Sequence, residues 1–339
     1  MTASSSAREP AMVDVARLAG VSHQTVSRVL NNHPNVRDET ARRVRAAITE
    51  LGYRPNRAAR ALVTGRTREI GVVALYSNLF GPASLLTALE RAATAAGFVV
   101  NVGTVNNVDR ASISAVVERH LDQRVAGIVV IAPVASAGEA LDQIQLDCPL
   151  VTIDGDPQRP TAGVTVDQQE GAALATRHLL EAGHRTVWHV SGPPDWFDSV
   201  GRVSGWERAL VEAGAEVPPV LPADWSAASG YRVGRTLARI PEVTAVFTAN
   251  DHLALGLLRA LHEHGRRVPH DVSVVGFDDV PEAGFFIPPL TTVRPDFFAV
   301  GRRAMRLLLH QIESGEHSER QYNLTPTLVQ RSSVGPPPG

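Results

Sequence analysis

The stretch "GVSHQTVSRVLNNHPNV", residues 20–36, carries side chains suited to reading nucleic-acid bases. His23, Gln24, Ser27 and Arg28 share one face at helical spacing. A Gln amide pairs bidentately with adenine and an Arg guanidinium with guanine in the major groove, each good pair contributing about 1–3 kcal/mol of base discrimination. Ser22, Thr25, Asn31 and Tyr53 are short or flanking donors suited to phosphate oxygens, contacts that fix position without carrying sequence information. Any one of these is ordinarily a solvated polar residue. Together, in this order and after a tight turn, they point to DNA.

The elements that must hold them follow from periodicity. Val13, Val15, Ala16 and Ala19 give a short apolar face that Gly20 ends. Ser22 then stands where an N-cap belongs, and a second helix runs to Leu30 with Val21, Val26, Val29 and Leu30 on its buried side. A third helix is expected over 38–51, with Val44, Ala47, Ile48 and Leu51 apolar and Gly52 as its stop. Helix, tight turn and helix make the helix-turn-helix outline. Charge agrees: up to Arg68 there are twelve Arg against five acids, a net +7, while the remainder has 21 basic and 30 acidic residues, a net −9. A basic head on an acidic body suits a head that meets a polyanion.

"VDVARLAGVSHQTVSRVLNNHPNV" followed by "ELGYRPNRAARALVTGRT" resembles the N-terminal signature of the LacI-type bacterial transcriptional repressors. The resemblance implies that His23, Gln24 and Arg28 face base edges. It also implies that the segment from Asn56 to Val63 is a hinge helix that folds on specific DNA and places Ala58 and Leu62 in the minor groove. A leucine wedged between base steps costs a few kcal/mol of unstacking and kinks the duplex to gain contact. The expected organisation is a DNA-binding head over 11–55, a hinge over 56–66 and a sensor body over 67–335.

In the body, "IGVVALY", "FVVNVG", "GIVVIA" and "LVTID" read as strands, with helical stretches near Leu85–Ala96, Ala111–Leu121 and Glu139–Leu146 between them. A second series follows with "GVTVD", "TVWHV", "TAVFTA" and "VSVVGFD". Apolar strands spaced by helices indicate parallel sheets covered on both faces, so the expected fold class is α/β, two doubly wound lobes behind a three-helix head. Ligands of such sheets bind outside the carboxyl ends of the strands, which between two lobes means the cleft. Polar residues there are Asp154, the loop "GPPDWFDSVGR", Asn250 with Asp251, and Asp278 with Asp279. Carboxylates and amides beside Trp225 and Phe297 suit a sugar, whose hydroxyls take bidentate partners and whose C–H face stacks on a ring.

The resemblance extends over the body. "TANDHLALG", "VSVVGFDD", "IPPLTTVRPDF" and "DWSAASG" look like the effector domain of these repressors, the last two like its lactose-repressor branch, in a fold similar to periplasmic binding proteins. Carried over residue by residue, the effector site comprises Leu79, Pro82, Asp154, Asp198, Arg202, Trp225, Asn250, Asp278 and Phe297. The chain departs from that branch in placing Trp196 and Asp198 in a bulkier, acidic loop, and in having Asn107 where the branch has an arginine. What is implied is an allosteric repressor, a homodimer on a pseudo-palindromic operator, controlled by a small carbohydrate such as a galactoside or glucoside.

Other chemistry finds little support. No apolar run approaches the ~20 residues of a membrane span, and "MTASSSAREP" lacks the order of a secretory signal, so a cytoplasmic location is expected. Cys148 stands alone in an apolar run as a small buried hydrophobe, and Trp188 and Trp206 read as packing residues. His262, His264 and His270 lack the spacing of a metal site. No catalytic grouping, metal site or cofactor motif stands out. The tail "RSSVGPPPG" has no leucine heptad, which favours a dimer over a tetramer. A sugar-binding transport component, a sugar-modifying enzyme and a purine- or nucleoside-responsive regulator are the rival readings.

Overall fold

Val15, Val26 and Val44, none with exposed surface, meet in the core of the head. They come from helices α1 (Met12–Ala19), α2 (His23–Leu30) and α3 (Asp38–Leu51). α1 stops because Gly20 adopts φ +62°, a left-handed conformation that costs glycine little. Ser22 caps α2, its Oγ accepting from the Thr25 amide at 3.2 Å. Arg43 of α3 donates to the carbonyls of Ala19 (2.7 Å) and Gly20 (3.3 Å), which fixes the turn between α1 and α2 on the third helix. This is a computed structural model, and it describes residues 10–30, 35–53, 67–75, 79–105, 109–131, 133–156 and 159–339. Asn31, Asn56, Ala58, Leu62, Asn107 and the hinge expected over 56–66 lie outside the described residues. The chain divides into two units, Met1–Thr67 and Arg68–Gly339.

The second unit holds two six-stranded sheets. Its strands are β1 (Glu69–Leu75), β2 (Val99–Val105), β3 (Gly127–Ile131), β4 (Leu150–Ile153), β5 (Gly163–Val166), β6 (Trp188–Ser191), β7 (Leu221–Pro222), β8 (Ala245–Thr248), β9 (Ser273–Phe277), β10 (Thr291–Arg294), β11 (Gln321–Leu324) and β12 (Thr327–Val329). Its α-helices are α4 (Phe80–Ala95), α5 (Arg110–Asp122), α6 (Ala135–Leu141), α7 (Gln168–Glu181), α8 (Phe197–Glu212), α9 (Ala227–Leu237), α10 (Asp251–Glu263) and α11 (Phe297–Ser314). The sheet orders are β11-β5-β4-β3-β1-β2 and β12-β10-β9-β8-β6-β7. Every pairing is parallel except β10 with β12, which is antiparallel.

Alternation explains why both faces of each sheet are covered. Ile70 and Val72 pack with Leu85, Leu89, Val300 and Leu308 of α4 and α11, while Val73 packs with Ile113 and Val117 of α5 on the opposite side. In the second sheet Val246 and Val274 face α9 and α10, and Phe247, Val275 and Phe277 face α7 and α8. Burial on both faces is what makes these strands read as continuous apolar runs.

Three expectations change. "GVTVD" was grouped with the second series, yet β5 pairs with β4 and β11 in the first sheet, because the chain crosses to the second lobe only after it. The helix expected over Glu139–Leu146 lies earlier, at Ala135–Leu141. The short strands β7, β10, β11 and β12 are not expected from the sequence, and through the last three the chain returns to the first lobe and then to the second.

Candidate functional site

Strand ends turn sharply where the two lobes of the body meet. Five non-glycine residues at positive φ are found among the described residues, and three of them, Asp154 (+52°), Trp225 (+70°) and Asp278 (+102°), line one cavity. Such backbone conformations cost on the order of 1–3 kcal/mol each and cluster at functional sites. The cavity is open to solvent, and about 520 Å³ of space lies within it and its mouth.

All nine residues expected at an effector site line this cavity. Leu79 and Pro82 come from the start of α4, Asp154 from the end of β4 and Phe297 from the start of α11, all on the first lobe. Asp198 and Arg202 lie one turn apart on α8, and Trp225, Asn250 and Asp278 follow β7, β8 and β9 on the second. Sequence reasoning missed Gln168, the first residue of α7, and Pro133. Gln168 is marked only by its place after a strand and a capping aspartate, Asp167, whose side chain accepts from Glu170 N at 2.8 Å. Across the cavity the lobes touch: Phe197 N donates to Pro133 O at 2.8 Å, and Leu79 and Phe80 pack against the apolar core of the second lobe.

Arg202, 4% exposed, organises the charge. Its Nε donates to Gln168 Oε1 at 2.9 Å, Nη1 donates to the carbonyl of Ala249, and Nη2 lies 3.7 Å from Asp278 and 3.9 Å from Asp198. The guanidinium rests on the Phe277 ring, 3.7 Å from its centre. One cation does not offset three enclosed carboxylates. Burial, reinforced by the neighbouring Asp198 charge, holds the Asp154 carboxyl well above its ordinary range. Burial also raises Asp198, against the pull of Arg202. It pushes Asp278 up to about 7, with Arg202 opposing and Asp198 adding to the rise.

Trp225 forms a wall of the cavity. Its ring lies so close over Gly192 that a Cβ there would come within 2.3 Å of it, and Trp196 meets it edge-on at 5.6 Å. Asn250 donates to the Trp225 carbonyl at 3.1 Å and accepts from Leu253 N at 2.8 Å, so one amide both fixes the indole and caps α10. The indole Nε1 is buried without a hydrogen-bond partner among the described residues.

Two strand-end acids serve structure instead. Asp251, with no exposed surface, accepts from Val280 N (2.8 Å) and Thr292 Oγ1 (2.6 Å), and Asp279 pairs with Arg331 at 2.6 Å and with Arg294. Trp206 is core, donating to Val187 O at 2.8 Å, whereas Cys148 is only half-buried.

On the head, Ser22, His23, Gln24 and Arg28 are exposed, and Thr25 and Ser27 are half-buried beside them. Tyr53 packs in the core of the head at 7% exposed. Arg28→Ala is expected to weaken binding to a specific DNA site by about 1–3 kcal/mol and binding to random DNA far less, as read by titration against both. Equal losses on the two DNAs would contradict a base-reading role.

The comparisons with known proteins agree with this anatomy. Residues 11–56 match the model described as "Bacterial regulatory proteins, lacI family", and residues 176–334 match "Periplasmic binding protein-like domain". The chain is 33% identical over 327 residues to the lactose operon repressor of Escherichia coli (strain K12), covering 95% of this chain and 90% of that protein. It is 35% identical over 330 residues to the HTH-type transcriptional repressor PurR of Vibrio atlanticus (strain LGP32), covering 95% and 97%. Among solved structures, the Lac repressor dimer bound to operator and the anti-inducer ONPF superposes with a TM-score of 0.87 at 32% identity, covering 97% of this chain and 100% of that one. A complex of the transcriptional regulator CelR with cellobiose gives 0.72 at 33% identity, covering 96% and 99%. Similarity of this degree over nearly the whole length places the chain: it belongs to the lacI family of bacterial regulatory proteins and is a DNA-binding transcriptional repressor.

Proposed function

We propose that the repressor responds to a small carbohydrate, a galactoside or glucoside, bound by Leu79, Pro82, Asp154, Asp198, Arg202, Trp225, Asn250, Asp278 and Phe297. The gathering of three carboxyls and an amide beside the rings of Trp225 and Phe297 in one cavity is the observation that carries this reading. Vicinal sugar hydroxyls donate to carboxylates and accept from the amide, and the sugar's C–H face stacks on a ring. The solved CelR complex contains cellobiose, and a lacI-family regulator from Enterococcus faecium contains ribose, at 33% and 26% identity to this chain.

The repressor acts as a cytoplasmic homodimer on a pseudo-palindromic operator, since one small head supplies little specificity and two-fold symmetry matches two half-sites. His23, Gln24, Ser27 and Arg28 read bases, with Ser22 and Thr25 on phosphates. Sugar binding releases the operator. A coupling of about 1–3 kcal/mol between the two ligands is enough to regulate, provided that sugar binds the DNA-free state more tightly.

A thermal-shift screen over mono- and disaccharides, purines and nucleosides tests this reading. A cognate sugar at ~100 times its Kd adds about 2.7 kcal/mol of stability. Shifts given by purines or nucleosides alone would contradict the carbohydrate assignment.

A further inference from the structure

Acidic side chains outnumber basic ones in the cavity. Among its described lining residues Arg202 is the one cation against Asp154, Asp198 and Asp278, and residues 76–78, 106–108, 132, 157 and 158 of the body include no basic residue. Arg202 is not free to receive an anion. It already donates to Gln168 and Ala249, lies within 4 Å of two carboxylates and rests on Phe277. Two of the helix ends at the cavity are already matched by acidic or amide side chains: the first turn of α8 holds Asp198, and α10 is capped by Asn250 with Asp251 next in line, whereas α4 begins at the cavity without a side-chain cap.

The three carboxylates are not equivalent. Asp198 has the most open side chain, 20% exposed against 11% for Asp278, and Asp154 is also enclosed. Asp198 is therefore the carboxyl most open to a ligand group; burial disfavours ionisation at all three, and at Asp198 the Arg202 charge opposes it.

We propose that Asp198 sets the charge specificity of this site, so that it admits an uncharged glycoside or an amino sugar and turns away ligands bearing phosphate or carboxylate. The inference rests on the reading of this cavity as the effector site. Chemically, a hydroxyl or ammonium group donates to the Asp198 carboxylate, whereas an anion would face it without a free cation to share.

The test is calorimetric titration at about pH 7.5 with galactose, galactosamine, galactose 6-phosphate and galacturonate, and with the gluco series. The wild-type protein and the Asp198→Asn and Asp198→Ser variants are compared. The wild-type protein should bind the neutral and amino sugars at least about tenfold more tightly than the anionic ones, and both variants should narrow that ratio about tenfold. Asn preserves the volume of the side chain, so a narrowed ratio in both variants reports charge and not packing. Anionic sugars binding the wild-type protein as tightly as their neutral parents, or a ratio unchanged in both variants, would overturn the proposal. Should inosine bind and every sugar fail, the carbohydrate reading falls, and inosine against inosine monophosphate decides the charge claim by the same ratio.

Discussion

Arg202→Ala is expected to destabilise the ligand-free protein by about 3–5 kcal/mol at pH 8, the usual cost of removing one partner from an enclosed ion cluster. The guanidinium is 4% exposed, close to Asp198 and Asp278, and flat on Phe277. Without it the carboxylates face one another with no counter-charge. Their affinity for protons then rises further, so the penalty falls mainly on the ionised forms above neutral pH. Towards pH 5 the carboxyls take up protons, and the deficit should shrink to lost packing and lost hydrogen bonds. Chemical denaturation at the two pH values measures the difference. A deficit that did not change with pH would mean that Arg202 acts through packing alone.

Asp278→Asn should act in the opposite direction. The carboxyl is pushed up to about 7 in the folded chain from an ordinary value of 3.8, chiefly by burial. Below about pH 4 it is protonated whether folded or unfolded, and the folded chain keeps its full stability. As pH rises through 7 the folded carboxyl is forced to ionise in an enclosed site, and that stability is lost. An amide never ionises. The variant should therefore be more stable than wild type by about 2–4 kcal/mol at pH 8 and no more stable at pH 4, given ~1.4 kcal/mol for each pH unit of displacement. The same change removes a carboxylate from the proposed sugar site, so effector affinity should fall while stability rises. Melting curves across this pH range, with and without sugar, check both effects. A uniform gain at every pH would exclude ionisation of Asp278 as the cause.

How much of this was legible depended on which physical rule the sequence could express. The head was readable almost to the residue, because Gly20 and Gly52 occupy left-handed stops, Ser22 caps, and Val26 with Val29 and Val44 with Ala47 recur at helical spacing on their own helices. The burial of Tyr53 is not legible, because a tyrosine just after a helix gives no sign that its ring is core. In the body, strand positions were clear but membership was not. A run such as "GVTV" has the same period in either lobe, and only the crossover after it assigns β5 to the first sheet. The strands β11 and β12 are short and partly exposed, so they carry little apolar signal.

At the cleft, strand ends alone marked Asp154, Asn250, Asp251, Asp278 and Asp279 alike. Successive residues leave a strand in different directions, and Asp251 and Asp279 turn to brace the loops around β10 while their neighbours line the cavity. Residue-by-residue resemblance was needed to select the nine that come together. Gln168 escaped because its role, accepting from Arg202, exists only once α7 and α8 are packed.

The central claim is that occupancy of the cleft governs how tightly the head holds a specific DNA. Its most direct measurement is the affinity of the full-length chain for a pseudo-palindromic operator, selected from genomic fragments against bulk competitor and titrated with and without the sugar that stabilises the protein. Expected is sequence-preferring binding that weakens about 5–150-fold when sugar is present, the span of ordinary allosteric coupling. Binding without sequence preference, or operator affinity that stays the same at saturating sugar, would contradict it.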